Sequence, residues 1–153
     1  MTAEARVREL GLEIPEAPAA VAAYVPTVVA GSLVFVSGQI PARGGGLPRT
    51  GSVGADVTVE EAQEEARYCA LNLLAQLRAA AGSLDAIERI ARLTVFVASA
   101  AGFRSQPAVA NGASELLVDV FGHAGQHTRS AVGVAELPLG APVEVDAIAI
   151  LRT

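Results

Sequence analysis

The chain contains no lysine: all eleven of its basic residues are arginine. No amine side chain is present to form a Schiff base with pyridoxal phosphate or a carbonyl substrate, and the lysine of a P-loop is missing too. Tryptophan is absent and aromatic residues make up 4% of the chain, which leaves few platforms for stacking single-stranded nucleic acid. One cysteine, Cys69, excludes an internal disulfide and a four-cysteine zinc site. Positive charge is in deficit. A net charge of −5 and a pI near 5.0 argue against a phosphate-backbone partner, because such binding relies on a basic face and released counterions. Long apolar runs are scarce as well. Glu4, Arg6, Arg8, Glu9 and Glu13 interrupt the N-terminus, so it has no signal-peptide core. The uncharged stretch Ala17 to Gly38 is long enough to cross a bilayer, but Pro18, Pro26 and Gly31 break it and its second half alternates like a strand. A buried strand pair is the better reading, and a cytoplasmic location is expected.

What is present suits a packed core. Of 153 residues, 52% are hydrophobic and 18% charged, with a mean hydropathy of +0.43. The length fits one domain over 1–153, with 1–16 as an N-terminal arm, either a short helix or a loosely attached segment. Alanine and valine supply much of the apolar share. Small residues bury little area each, so an oligomer that shares core surface would help stability.

The pattern along the chain predicts ββαβαββ. Thr27–Ala30 and Leu33–Ser37 read as strands around a Gly31-Ser32 turn. The glycine-rich segment 42–54 reads as a flexible connection; it lacks the lysine and Ser/Thr of a phosphate loop. Thr58 and Glu61 form a capping box at the start of a long helix. Glu60, Glu61, Glu64 and Glu65 follow in its first turns, where the helix dipole favours negative charge. Ala62, Ala66, Cys69, Leu73 and Leu77 make its apolar face, and Gly82 is a fitting C-cap. Cys69 on that face reads as a small core residue rather than a reactive thiol. Ile90–Ala98 is a strand, Pro107 opens a second helix that Gly122 ends, and 129–136 and 143–151 are the last two strands. Helices placed between strands favour parallel crossovers in a mixed sheet with both helices on one face. The other face, rich in valine and alanine, then needs cover, and a subunit contact would supply it.

Few chemical constellations stand out. His123 and His127 are four apart, but glycines around them disfavour a helix and no third ligand is evident, so solvated loop histidines are the better reading than a metal site. Neither has a serine or cysteine partner in a nucleophile motif. On the last strand, Glu144 and Asp146 share a face with Ile148 and Ile150, while Val143, Val145, Ala147 and Ala149 form a wholly apolar face. A carboxylate in such a setting needs a donor, a charge partner or water. Arg129 is the nearest candidate partner. If the last two strands formed a hairpin, Arg129 would lie opposite the far end, and its contact with Glu144 would need a neighbouring subunit. The plainer alternative is a surface arginine and a rim carboxylate.

Two stretches carry a resemblance. Leu33-Val34-Phe35-Val36-Ser37-Gly38-Gln39-Ile40-Pro41 and Arg129-Ser130-Ala131-Val132-Gly133-Val134-Ala135-Glu136-Leu137-Pro138, the latter followed by Val143-Glu144-Val145-Asp146-Ala147, resemble the paired signatures of the RidA/YjgF family. The similarity runs from about residue 24 to 152. It implies a chorismate-mutase-like α/β fold, a homotrimer with ligand clefts between subunits, and no metal or cofactor. It also implies hydrolysis of reactive 2-imino or enamino acids to 2-oxo acids and ammonia. Arg129 would bind the substrate carboxylate and Glu144 would position water, with Ser37, Gly38, Tyr24 and Asn111 as substrate-binding residues. Such chemistry suits these residue types, since a guanidinium grips a carboxylate with two prongs, and a carboxylate can orient and deprotonate water. The segment Ala23-Tyr24-Val25-Pro26 and Ala131, where the family often has cysteine, depart from the pattern and mark a divergent branch. A non-catalytic trimer that binds small carboxylates, as a metabolite sensor or partner protein, is the alternative. Ribonuclease activity is disfavoured by the acidic charge, the low aromatic content and the lack of an evident histidine pair.

Overall fold

The Gly31-Ser32 turn closes a hairpin as its composition predicts. In a computed structural model describing all 153 residues, Gly31 takes φ +61° between β1 (Thr27–Ala30) and β2 (Leu33–Gln39). The remaining elements are α1 (Ala3–Glu9), α2 (Val59–Ala81), β3 (Ile87–Ala98), α3 (Gln106–Phe121), β4 (Thr128–Val134) and β5 (Val143–Leu151). The five strands form one sheet in the order β1-β2-β5-β3-β4. Only β3 and β4 are parallel; every other neighbouring pair is antiparallel. The last two strands therefore do not form a hairpin. β5 leaves β4 at the edge and inserts between β2 and β3, where its apolar face meets the helices. No helix is long and apolar enough to cross a membrane.

Helix α2 starts at the expected capping box. Thr58 Oγ1 accepts from the Glu61 N–H at 3.1 Å and Glu61 accepts from the Thr58 N–H at 2.9 Å. It ends at Gly82, whose φ of +79° favours a residue without a β-carbon. Leu73, Leu74 and Leu77 of α2, Leu116 and Leu117 of α3, and Leu93, Val95, Val143 and Val145 of the sheet share the core. Cys69 lies within it, fully buried, its thiol 3.6 Å from the Val143 carbonyl. The two helices meet closely at Gly112, where a β-carbon would strike the Gln63 carbonyl.

One expectation changes, and one open alternative is decided in favour of the helix. The glycine-rich segment is anchored rather than free. Glu65 faces the interior with a fully buried side chain, and Arg43 grips it with both prongs at 2.9 and 3.0 Å. Arg49 adds a 3.1 Å contact to Glu65 and a 2.7 Å contact to Glu64, and Arg43 also stacks on Tyr68. A buried carboxylate requires such partners. Asn72 holds the same segment through the Ile40 and Ala42 carbonyls. The N-terminal arm is likewise a docked helix: Glu4 pairs with Arg78 and accepts from the Leu84 N–H, and Val7 is buried.

The sheet face away from α2 and α3 has no cover within the chain. Val28, Leu33, Phe35 and Val132 stand exposed there, 37–51% accessible, beside partly buried Phe96, Ile148 and Ile150.

Candidate active site: two half-sites on opposite faces of the sheet

Strand pairing places Arg129 and Glu144 apart. Arg129 pairs with Leu93, and Leu93 with Ala147, so Arg129 belongs to the helix-covered face. Glu144 pairs with Phe96 on the bare face. Two strand spacings and three residues of rise separate their backbones by about 14 Å. Within one chain the two side chains form separate half-sites.

The first half-site lies where β2 meets β5. The register of that pair shifts between Val36 and Gln39, a bulge that displaces Gly38 from the regular ladder. The Glu144 carboxylate fills the space that opens there: a β-carbon on Gly38 would collide with it. Glu144 is partly buried and has no arginine within ion-pair distance. Burial, and then the charge of Asp146, raise its pKa above the ordinary carboxylate value. Ser37 donates from its hydroxyl to the Val25 carbonyl at 2.8 Å and from its backbone N–H to Pro26 at 2.9 Å. These bonds hold the segment before β1 over the end of β2. Tyr24, in that segment, lines a cavity of about 230 Å³ with Pro26, Gly38, Gln39, Ile40 and Leu139.

The second half-site lies at the β4 edge, against α3. Arg129 Nη1 donates to Asn111 Oδ1 at 2.9 Å and to Ser114 Oγ at 3.1 Å, and Nη2 reaches the Pro107 carbonyl at 3.4 Å. Asn111 therefore holds the guanidinium.

His127 corrects the sequence reading. It is a partly buried histidine with a serine partner: Nε2 lies 2.9 Å from Ser114 Oγ, and Nδ1 lies 2.6 Å from the Gly125 carbonyl. His123, in the short 3-10 turn Gly122–Gly125, is exposed. Two spacings in the sequence are compatible with this cluster, but neither shows that its two halves meet. Asn111 and Ser114 are one helical turn apart, and His127 and Arg129 alternate along one strand line. No three histidine, cysteine or acidic side chains stand close enough to hold a metal ion.

Of the residues singled out from the sequence, Tyr24, Ser37, Gly38 and Glu144 thus gather in one half-site, and Arg129 and Asn111 in the other. Ser114 and His127 join the second.

Residues 4–151 match the family described as "YjgF/chorismate mutase-like, putative endoribonuclease". Protein TCP17 of Trypanosoma cruzi is 48% identical, over 97% of this chain and 93% of its own. The "putative reactive intermediate deaminase TdcF" of Escherichia coli is 37% identical, over 91% and 95%. The "2-iminobutanoate/2-iminopropanoate deaminase" of Salmonella typhimurium is 36% identical, over 89% and 93%. Among solved structures, a "putative endoribonuclease" from Shewanella oneidensis superposes with a TM-score of 0.95 at 38% identity, covering 99% of this chain and all of that one. Escherichia coli TdcF with bound serine superposes at 0.68 and 33% identity, covering 90% and 94%. With its profile matched nearly end to end, and relatives well above 30% identity along most of its length, the chain belongs to the YjgF/RidA family.

Proposed function

We propose that the protein hydrolyses reactive 2-imino and enamino acids to 2-oxo acids and ammonia, in clefts built between copies of the chain. The observation that carries this reading is Glu144: a partly buried carboxylate of raised pKa, packed on Gly38 and without a cationic partner. Such a group can take a proton from water and return it. The relatives named as deaminases support the same chemistry. Arg129, held by Asn111 and Ser114, supplies the carboxylate grip. Its guanidinium keeps its charge at any working pH and matches a carboxylate in geometry.

In this reaction an enamine first tautomerises to the imine. Water adds to the imine carbon while Glu144 accepts one of its protons and passes that proton to the nitrogen, giving a carbinolamine. Glu144 then takes the hydroxyl proton and delivers it to the departing nitrogen, so that the C–N bond breaks, ammonia leaves and the oxygen becomes the 2-oxo group. A three- or four-carbon acid cannot span about 14 Å through a sheet. The arginine of one copy would therefore meet the glutamate of another, which suits the head-to-tail homotrimer that the family resemblance implies, with its bare sheet faces covering one another.

The test couples the protein to a pyridoxal-phosphate dehydratase or an amino-acid oxidase and follows imine decay. Acceleration that Arg129→Ala abolishes is the expected result; no acceleration, or the same acceleration by that variant, overturns the reading. Retained carboxylate affinity without turnover would instead support a binding protein. A nuclease reading draws little from either half-site: His127 is engaged with a serine and a carbonyl, and His123 stands apart.

A further inference from the structure

Arg129 does not stand free on its strand; it is one end of a chain of hydrogen bonds whose directions can be assigned. The Gly125 carbonyl can only accept, so the proton of the His127 ring sits on Nδ1. In the neutral ring Nε2 is then an acceptor, and Ser114 must give its single hydroxyl proton to it. With that proton committed, Ser114 offers Arg129 lone pairs alone, which is what a guanidinium needs. Asn111 Oδ1 completes the cradle.

We propose that His127 is a positioning residue for Arg129, acting through Ser114, and that protonation of its ring releases the arginine and weakens the carboxylate grip. The inference rests on the reading of Arg129 as that grip. A protonated ring donates from both nitrogens. Ser114 would then face two cationic donors across one oxygen, while its own proton lost its acceptor. Holding Arg129 against α3 and holding a proton on His127 are therefore competing states.

The surroundings favour the neutral ring. Burial first, and the positive charge of Arg129 as well, keep the His127 pKa below the ordinary histidine value, against the opposing bond to Gly125. Arg129 is the one charged group that bears on the ring. Glu115 and Asp119 of α3 project about 100° and 140° around the helix from Ser114. Arg92 of β3 turns to Ser130 on the other sheet face, and His123 is exposed. The grip is thus intact at neutral pH and loosens in acid.

Linkage fixes a sign. If protonation weakens binding, then a bound carboxylate must lower the His127 pKa further, by holding Arg129 in its cradle. Were His127 simply a second cation for the ligand, binding would raise that pKa.

The experiment uses the full chain carrying Glu144→Gln, which removes the titrating carboxylate of the other half-site. Nuclear magnetic resonance follows the His127 ring and the Arg129 guanidinium across a pH titration, with and without pyruvate as probe. The expected result has four parts. The ring is the Nδ1–H tautomer at neutral pH. The Arg129 signals move with His127 titration and stop doing so in Ser114→Ala. Pyruvate lowers the His127 pKa. Pyruvate affinity falls about ten- to a hundredfold on protonation, the worth of one hydrogen bond to a charged group. His127→Gln, which keeps an acceptor but cannot titrate, should bind with a flat pH profile. Arg129 signals indifferent to His127, or a His127 pKa raised by pyruvate, overturn the proposal. If pyruvate fails to bind at any pH, the carboxylate grip itself falls, and the positioning role is then decided by the Arg129 signals alone.

Discussion

Gly38 and Glu144 constrain each other: one must lack a side chain so that the other can occupy the bulge. The arrangement works against folding. Because the folded-state pKa of Glu144 is raised, the native protein holds that proton more tightly than the unfolded chain does. Its contribution to stability is complete below the ordinary carboxylate pKa and is lost as pH rises through the folded value. Glu144→Gln should therefore raise the melting temperature at neutral pH, with the advantage vanishing in acid, as calorimetry across pH would show. The same change should cut imine turnover by about 10²–10⁴-fold, the span that general acid–base groups contribute. Half of this site was legible from single residues. Glu144 stood out, with Asp146, as a carboxylate on a largely apolar strand, and Arg129 through its signature. Ser114 and His127 were not legible, because a hydroxyl and an imidazole acquire a role only when packing removes water and sets their partners. Their sequence separation of thirteen residues hides a contact made between α3 and the residue just before β4.

Secondary-structure elements carry a different lesson. The start and end of α2 follow from Thr58, Glu61 and Gly82 alone, since capping satisfies backbone groups within one turn of the chain. The place of β5 does not follow from its neighbours. A short connection after β4 suggests a hairpin, yet the more apolar strand takes the centre of the sheet. β4, with Thr128, Arg129, Ser130 and Gly133, tolerates the edge. Composition across strands, rather than loop length, was the deciding signal. The charged stripe of α2 misled in the same way: Glu65 sits among solvated glutamates in sequence but faces inward. Glu65→Ala should destabilise the protein by about 2–3 kcal/mol in urea unfolding, below the 3–5 kcal/mol of fully buried pairs, because Arg43 and Arg49 can turn to water. The glycine-rich segment should then become the first site of proteolytic cleavage.

At the scale of the whole molecule, the bare sheet face and the divided site make one demand, a second copy. Light scattering should report a trimer, and Phe35→Asp should dissociate it. A sharper check mixes inactive subunits. Arg129→Ala and Glu144→Gln chains, refolded together at equal ratio, should regain about a quarter of wild-type turnover, because random head-to-tail assembly pairs an intact arginine with an intact glutamate in that share of clefts. No recovery would place both groups in one chain's own site. Assembly also bears on the interior. The thiol of Cys69 is fully buried, and burial pushes its pKa well up. Beyond its N-terminus the chain has no amine nucleophile, and when folded it presents no thiolate. On the proposed function, the chain would thus be hard for reactive imines and enamines to modify. Iodoacetamide should leave the native protein unmodified and add one equivalent in denaturant, so that thiol labelling becomes a direct clock for opening of the core.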